Sequence, residues 1–121
     1  MGRRKGVDYA LKVFRQRRIF KRELKSLTTL SHTNIIKLVQ ALKDLAIDPE
    51  VLPRKSRTET FDVLVMSLGK TTLYDLAKEK SGFSAPTTRW LFKEILSALA
   101  HCHEKRIAHL DIKLENIVIG D

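Results

Sequence analysis

His109-Leu110-Asp111-Ile112-Lys113-Leu114-Glu115-Asn116 follows neither regular period. Its apolar residues repeat neither every two positions nor every 3.6, so neither a half-buried strand nor an amphipathic helix accounts for it. A loop that buries Ile112 and Leu114 points Asp111, Lys113 and Asn116 into one cleft. A carboxylate there can accept or orient a hydroxyl proton. An ammonium can offset charge on a moving phosphoryl group, and an amide oxygen can bind Mg²⁺. Taken alone, the stretch is equally well read as a surface loop with three unrelated polar residues.

The flanks are regular. Upstream, Ser84-Ala85-Pro86 opens a long helix, with Ser84 as N-cap and Pro86 in the first turn. Leu91, Ile95, Ala98, Leu99 and Cys102 share one stripe of it, Trp90 is partly buried, and the helix ends near Glu104 or Lys105. Downstream, Ile117-Val118-Ile119 is a short strand stopped by Gly120. Towards the N-terminus, residues 7–14 (VDYALKVF) alternate as a strand, and Phe20, Leu24 and Leu27 mark a helix over about 19–30. Ile35 to Val39 is a short buried strand. Residues 44–60 contain Pro49, Pro53 and a basic run, and read as a loop. Phe61 to Met66 is a buried strand, residues 69–72 are a turn, and a short helix covers about 73–80. A strand, a helix, further strands and then two helices make an α+β arrangement.

The chain has 121 residues, 23 Lys or Arg against 14 Asp or Glu, and 43% hydrophobic residues, with five Gly and three Pro. These values exclude a collagen-like, low-complexity or mostly disordered chain. No apolar run approaches the roughly 20 residues that a membrane helix needs, and the basic start has no apolar run of a secretory signal. The one cysteine, Cys102, lies on the apolar stripe as a core residue, and it fits a reducing, intracellular compartment, cytoplasmic or nuclear. Residues 1–25 carry +8 of the net +9. Such an end can bind nucleic acid, an acidic membrane surface or phosphorylated groups, but no aromatic residues are interleaved for stacking, and a solvated helix face is the plainer reading. His101 and His103 point to different sides of a helix and do not share one metal ion.

The stretch HLDIKLEN resembles the H-R-D-L-x-x-x-N catalytic loop of eukaryotic protein kinases, and YALKVF resembles their V-A-I-K strand. FKRELKSLTTLSHTNIIKL is similar to the helix C region and the strand after it. FDVLVMSLGKTTLYDL looks like the fifth strand and hinge, and FSAPTTRWLFKEILSALAHCHEKRIAH like the helix before the catalytic loop. The order is the family's, over nearly the whole chain. The resemblance implies a partial protein-kinase-like α+β fold: a small-lobe antiparallel sheet with helix C and hinge over about 7–68, then the first helices and catalytic loop of the large lobe over about 69–121. It also implies transfer of the γ-phosphate of ATP, with Mg²⁺, to a Ser or Thr hydroxyl of a protein substrate; no membrane partner is expected from the sequence, and nucleic acid is the less favoured partner. Lys12 then contacts the ATP phosphates and Glu23 pairs with it. Asp111 is the catalytic base or hydroxyl-orienting residue, Lys113 meets the γ-phosphate, and Asn116 binds Mg²⁺. Ala10 and Val118 sandwich the adenine, Met66 is the gatekeeper, and Ser67, Leu68 and Gly69 form the hinge. Lys113 fits the serine/threonine type, and Leu114 resembles the calcium/calmodulin-dependent group.

Four departures from the family set further expectations. Gly2 and Gly6 do not make G-x-G-x-x-G, so the phosphate-covering loop and its two strands are expected to be absent. The Asp-Phe-Gly motif is expected beyond Asp121, which is not itself that aspartate. Leu110 replaces the Arg of H-R-D, which argues against control through a phosphorylated activation loop. Lys12 and Glu23 are only eleven residues apart, so helix C is shortened at its start. The 121 residues alone are therefore expected to be inactive. Two other classes remain open: a catalytically silent kinase-like module, with the 44–60 loop docking a partner, and a basic nucleic-acid-binding protein.

Overall fold

Phe61 to Met66 lies within the middle strand of the larger sheet. The structure, a computed structural model, describes residues 6–46 and 60–120. The expected docking segment, apart from its ends at 44–46 and residue 60, lies outside the described residues, as do Gly2 and Asp121. Two compact units are present, one holding the residues through Thr28 and Lys37–Ser67, the other Thr29–Ile36 and the residues from Leu68 onward.

In the first unit, β1 (Tyr9–Phe14) is followed by helix α1 (Arg17–Thr29), then β2 (Leu38–Ala46) and β3 (Thr60–Ser67). All pairing is antiparallel in the order β1-β3-β2. Phe14, Phe20 and Leu64 form the buried centre, with Leu24, Leu27, Leu38, Ala41 and Met66 packed around them. Phe20 meets Phe14 edge to face, with ring centroids 5.7 Å apart. The helical spacing of Phe20, Leu24 and Leu27 thus places one face of α1 on the sheet.

Two expectations for this unit are corrected. The strand expected over Ile35–Val39 begins at Leu38 and continues to Ala46, into the segment read as a loop. Pairing with β3 sustains it, with irregularities between Leu38 and Gln40 and between Leu42 and Leu45 that blurred its alternation. It is also not buried: Val39 and Leu45 are exposed.

In the second unit, β4 (Thr71–Thr72) leads into α2 (Leu73–Glu79), followed by α3 (Ala85–Glu104), a 3₁₀ turn (Leu114–Asn116) and β5 (Val118–Ile119). Ser84 caps α3 by accepting from the Thr87 N–H, as its sequence requires. Thr72 caps α2 in the same way through the Asp75 N–H. The 69–72 segment is therefore more than a turn, because Thr71 and Thr72 pair with Ile119 and Val118. Gly69 serves this pairing: a Cβ there would run into the Val118 side chain. The loop before β2 is tied to α3. Asn34 Nδ2 donates to the Glu94 carbonyl and carboxylate at 3.1 and 2.7 Å, and the Ser31 N–H donates to His101 Nε2 at 3.1 Å.

The α3 stripe is as expected for Cys102, which is buried, and for Leu91, Ile95, Ala98 and Leu99, which are half-buried. Trp90 is a correction: it is 60% exposed, off that stripe, as is Phe92 at 62% on a different side of α3. Among the described residues, no helix is long and apolar enough to cross a membrane.

Candidate active site

Lys12 lies on edge strand β1, opposite Leu64 of β3. Its ammonium donates to Glu23 Oε1 of α1 and lies 5.5 Å from the centroid of the Phe14 ring. The short spacing is accommodated because only Arg15 and Gln16 separate β1 from α1, so the helix starts almost as soon as the strand ends. Glu23 Oε2 is buried and has no hydrogen-bond partner among the described residues. One oxygen of that carboxylate thus holds the lysine while the other retains its capacity to accept.

The start of α1 carries a second cluster, which sequence reasoning missed. Arg17 donates from Nε to Asp62 Oδ2 at 3.0 Å and from Nη2 to Asp62 Oδ1 at 2.8 Å. The same Nη2 reaches Asp44 Oδ1 at 2.8 Å. Asp62 is buried on β3, and it also accepts the Asp44 N–H at 3.1 Å. A carboxylate inside an apolar strand needs partners of this kind, and that requirement was the available signal. The Arg17 hydrogen bonds hold the Asp62 carboxyl below its ordinary range; burial opposes them, and the Asp44 N–H and nearby cations add to the lowering. Arg17 in turn is held further above its own high value, chiefly by Asp62.

A pH dependence follows. A carboxyl with a lowered folded pKa contributes stability that is complete above its unfolded value, about 3.9, and is lost as pH falls through the folded one. Urea midpoints should therefore drop between pH 5 and pH 2.5 more steeply in the wild type than in Asp62→Asn. Parallel pH profiles would remove Asp62 from the acid response.

In the second unit, Asp111 is the centre of the loop. Asn116 Nδ2 donates to the Asp111 carbonyl and to its Oδ2, both at 3.0 Å. Lys113 Nζ lies 3.8 Å from Asp111 Oδ1. The 3₁₀ turn brings Asn116 back towards Asp111, and the Asp111 N–H donates to His109 Nδ1 at 3.2 Å. This last bond spans Leu110, whose φ is 67°. A left-handed leucine costs on the order of 1–3 kcal/mol, and such strain collects at functional loops. The expectation that Ile112 and Leu114 are buried is corrected: they are 48% and 45% exposed. The loop is shaped by polar bonds around Asp111 rather than by burial of its apolar residues.

Ala10 and Met66 face each other across β1 and β3, both half-buried. Ser67 ends β3, and its N–H and hydroxyl are both engaged with the Lys37 backbone. Leu68, in the second unit, is exposed, and Val118 lies on β5 against Gly69. The predicted residues thus form two sets. Lys12 with Glu23, and Ala10 with Met66, belong to the first unit; Asp111, Lys113 and Asn116 are gathered in the second.

The donor chemistry suits a divalent cation at Asn116. Both hydrogen bonds from its Nδ2 go to Asp111, leaving the amide oxygen as the acceptor for a hard cation. Among the described residues, no group of three or more His, Cys, Asp or Glu is assembled as a metal site.

The architecture is that of a protein-kinase-like α+β fold. The chain belongs to the protein kinase domain family, whose profile matches residues 1–121. It is similar to NUAK family SNF1-like kinase 1 of Homo sapiens, with 32% identity over 84% of this chain and 13% of the relative. Calcium-dependent protein kinase 5 of Plasmodium berghei (strain Anka) is 32% identical over 100% of this chain and 20% of the relative. CBL-interacting serine/threonine-protein kinase 17 of Arabidopsis thaliana is 28% identical over 94% and 25%. The chain therefore spans a quarter or less of the length of these curated relatives.

Proposed function

We propose that these residues serve a protein serine/threonine kinase that transfers the γ-phosphate of ATP to a Ser or Thr hydroxyl. The observation that carries this reading is the Lys12–Glu23 pair. An exposed ion pair contributes only about 0–1 kcal/mol to folding, so stability gives little reason for it. A lysine held in place by a glutamate, with its remaining donors available, is suited to nucleotide phosphates.

In this reading Glu23 orients Lys12, and Ala10, Met66, Ser67, Leu68 and Val118 are assigned to the adenine ring and the hinge. Asp111 accepts or orients the substrate hydroxyl proton, and Lys113 offsets charge on the transferred group. The Asn116 amide oxygen would hold Mg²⁺, which when bound neutralises phosphate charge. The boundary near residue 68 separates small-lobe from large-lobe residues. The 121 residues contain neither G-x-G-x-x-G nor Asp-Phe-Gly. A polypeptide of these residues alone therefore lacks the phosphate cover and a second metal carboxylate, and is expected to show no turnover.

MgATP titration of the full-length protein tests the reading. Saturating MgATP should raise the thermal midpoint, and Lys12→Ala should weaken binding about 10- to 100-fold, as loss of one charge-assisted hydrogen bond does. Protection that is equal in the wild type and Lys12→Ala removes Lys12 from the site. No protection in either leaves the catalytically silent binding module as the better reading.

A further inference from the structure

Helix α1 has almost no linker with which to set its own orientation. Two residues connect it to β1, and Glu23 must still come to rest on Lys12. Phe20 inserts into the core and fixes how closely the helix approaches the sheet. Leu24 and Leu27 keep the same face towards the sheet, but apolar contact is non-directional and leaves the fine roll of a helix about its axis loosely set. At 3.6 residues per turn, Arg17 and Glu23 lie about 60° to either side of Phe20 around the helix. Arg17 and Glu23 are thus polar anchors flanking an apolar pivot.

We propose that Arg17, forked onto Asp62 and Asp44, is a positioning residue that sets the roll of α1 and thereby brings Glu23 to Lys12. This rests on the reading of Lys12 and Glu23 as the nucleotide-facing pair. The fork suits the role because a bidentate guanidinium–carboxylate pair fixes a plane as well as a distance. Its acceptor is enclosed: Asp62 is 5% exposed, on the central strand, and opposite Phe14 of β1. Asp44, at φ 54° in the irregular part of β2, turns its N–H onto Asp62 and its carboxylate onto Arg17. The helix start is therefore referenced to both β2 and β3. Lysine at position 17 would keep the charge without the fork.

Lys12 acylation in the full-length protein, read by peptide mass spectrometry relative to Lys113, is the test. Arg17→Gln should raise Lys12 labelling about two- to fivefold, the range an exposed ion pair supplies. Glu23→Gln should match it, and the double variant should add nothing further. Arg17→Lys should fall between the wild type and Arg17→Gln. A purely structural Arg17 would raise Lys12 and Lys113 together, or add to the Glu23→Gln effect; either overturns the proposal. If Arg17→Gln does not fold, Asp44→Asn decides: it trims one exposed arm of the fork and should give a smaller rise, and no rise overturns the proposal. Protection of Lys12 by MgATP is read separately. Labelling that follows Arg17 without MgATP protection supports the positioning role and sinks the nucleotide reading. Protection with labelling indifferent to Arg17 does the reverse.

Discussion

Asp111→Asn in the full-length protein is expected to lower kcat for a Ser/Thr peptide by about 10²–10⁴-fold, the range for loss of a positioned proton-transfer group. KM for ATP should change little. The substitution keeps the size of the side chain, and the loop backbone keeps two of its bonds: the Asp111 carbonyl to Asn116 and the Asp111 N–H to His109. It removes the negative charge that faces Lys113 and the ability to accept a proton. Asp111 is 66% exposed at its side chain, so folding stability should stay within about 0.5 kcal/mol. The reaction and the fold are thereby separated: a large fall in kcat at an unchanged urea midpoint assigns the group to chemistry. Glu115→Gln, on the same 3₁₀ turn, is the control and should leave kcat unaltered. If Asp111→Asn turns over like the wild type, Asp111 is a loop-shaping residue and another base must be sought.

What could be read in advance followed from short-range chemistry. Ser84 names a helix start because its hydroxyl has one obvious use there, and Phe20, Leu24 and Leu27 name a buried face by spacing alone. The Asp111–Lys113–Asn116 cluster was legible for the same reason, since three polar residues lie within six positions of one another. What escaped was long-range. The extension of β2 to Ala46 depends on a partner strand, and its irregular register hid the period of two. Arg17 and Asp62 stand 45 positions apart, and Arg17 is one of ten basic residues among the first 25, so nothing local distinguished it from its neighbours. Asp62 could have been singled out, because an acidic residue between Phe61 and Val63 must find a partner or remain uncharged. Ile112 and Leu114 mislead in the opposite sense: apolar character does not decide burial in a loop shaped by hydrogen bonds.

Phe20→Ala should destabilise the protein by about 3–5 kcal/mol, the loss typical of a large aromatic removed from a packed site. Phe20 is 0% exposed and touches both Phe14 of β1 and the core around Leu64 of β3, so the cavity opens between helix and sheet. Such a loss is a large part of the roughly 5–15 kcal/mol that holds a domain folded. The deficit should appear as a lower urea midpoint at unchanged slope, which distinguishes a weakened native state from a changed denatured one. Phe20→Leu, which refills most of the volume, should lose clearly less. The position also bears on the site, because Glu23 lies one turn beyond Phe20 on the same helix. A folded Phe20→Leu variant in which Lys12 becomes more reactive would show that core packing and the Lys12–Glu23 pair are coupled through α1. An unchanged Lys12 in that variant means the Arg17 fork and the remaining apolar contacts of α1 hold the helix without Phe20. A midpoint for Phe20→Ala equal to the wild type would mean that the helix–sheet core is not where the stability of this unit resides.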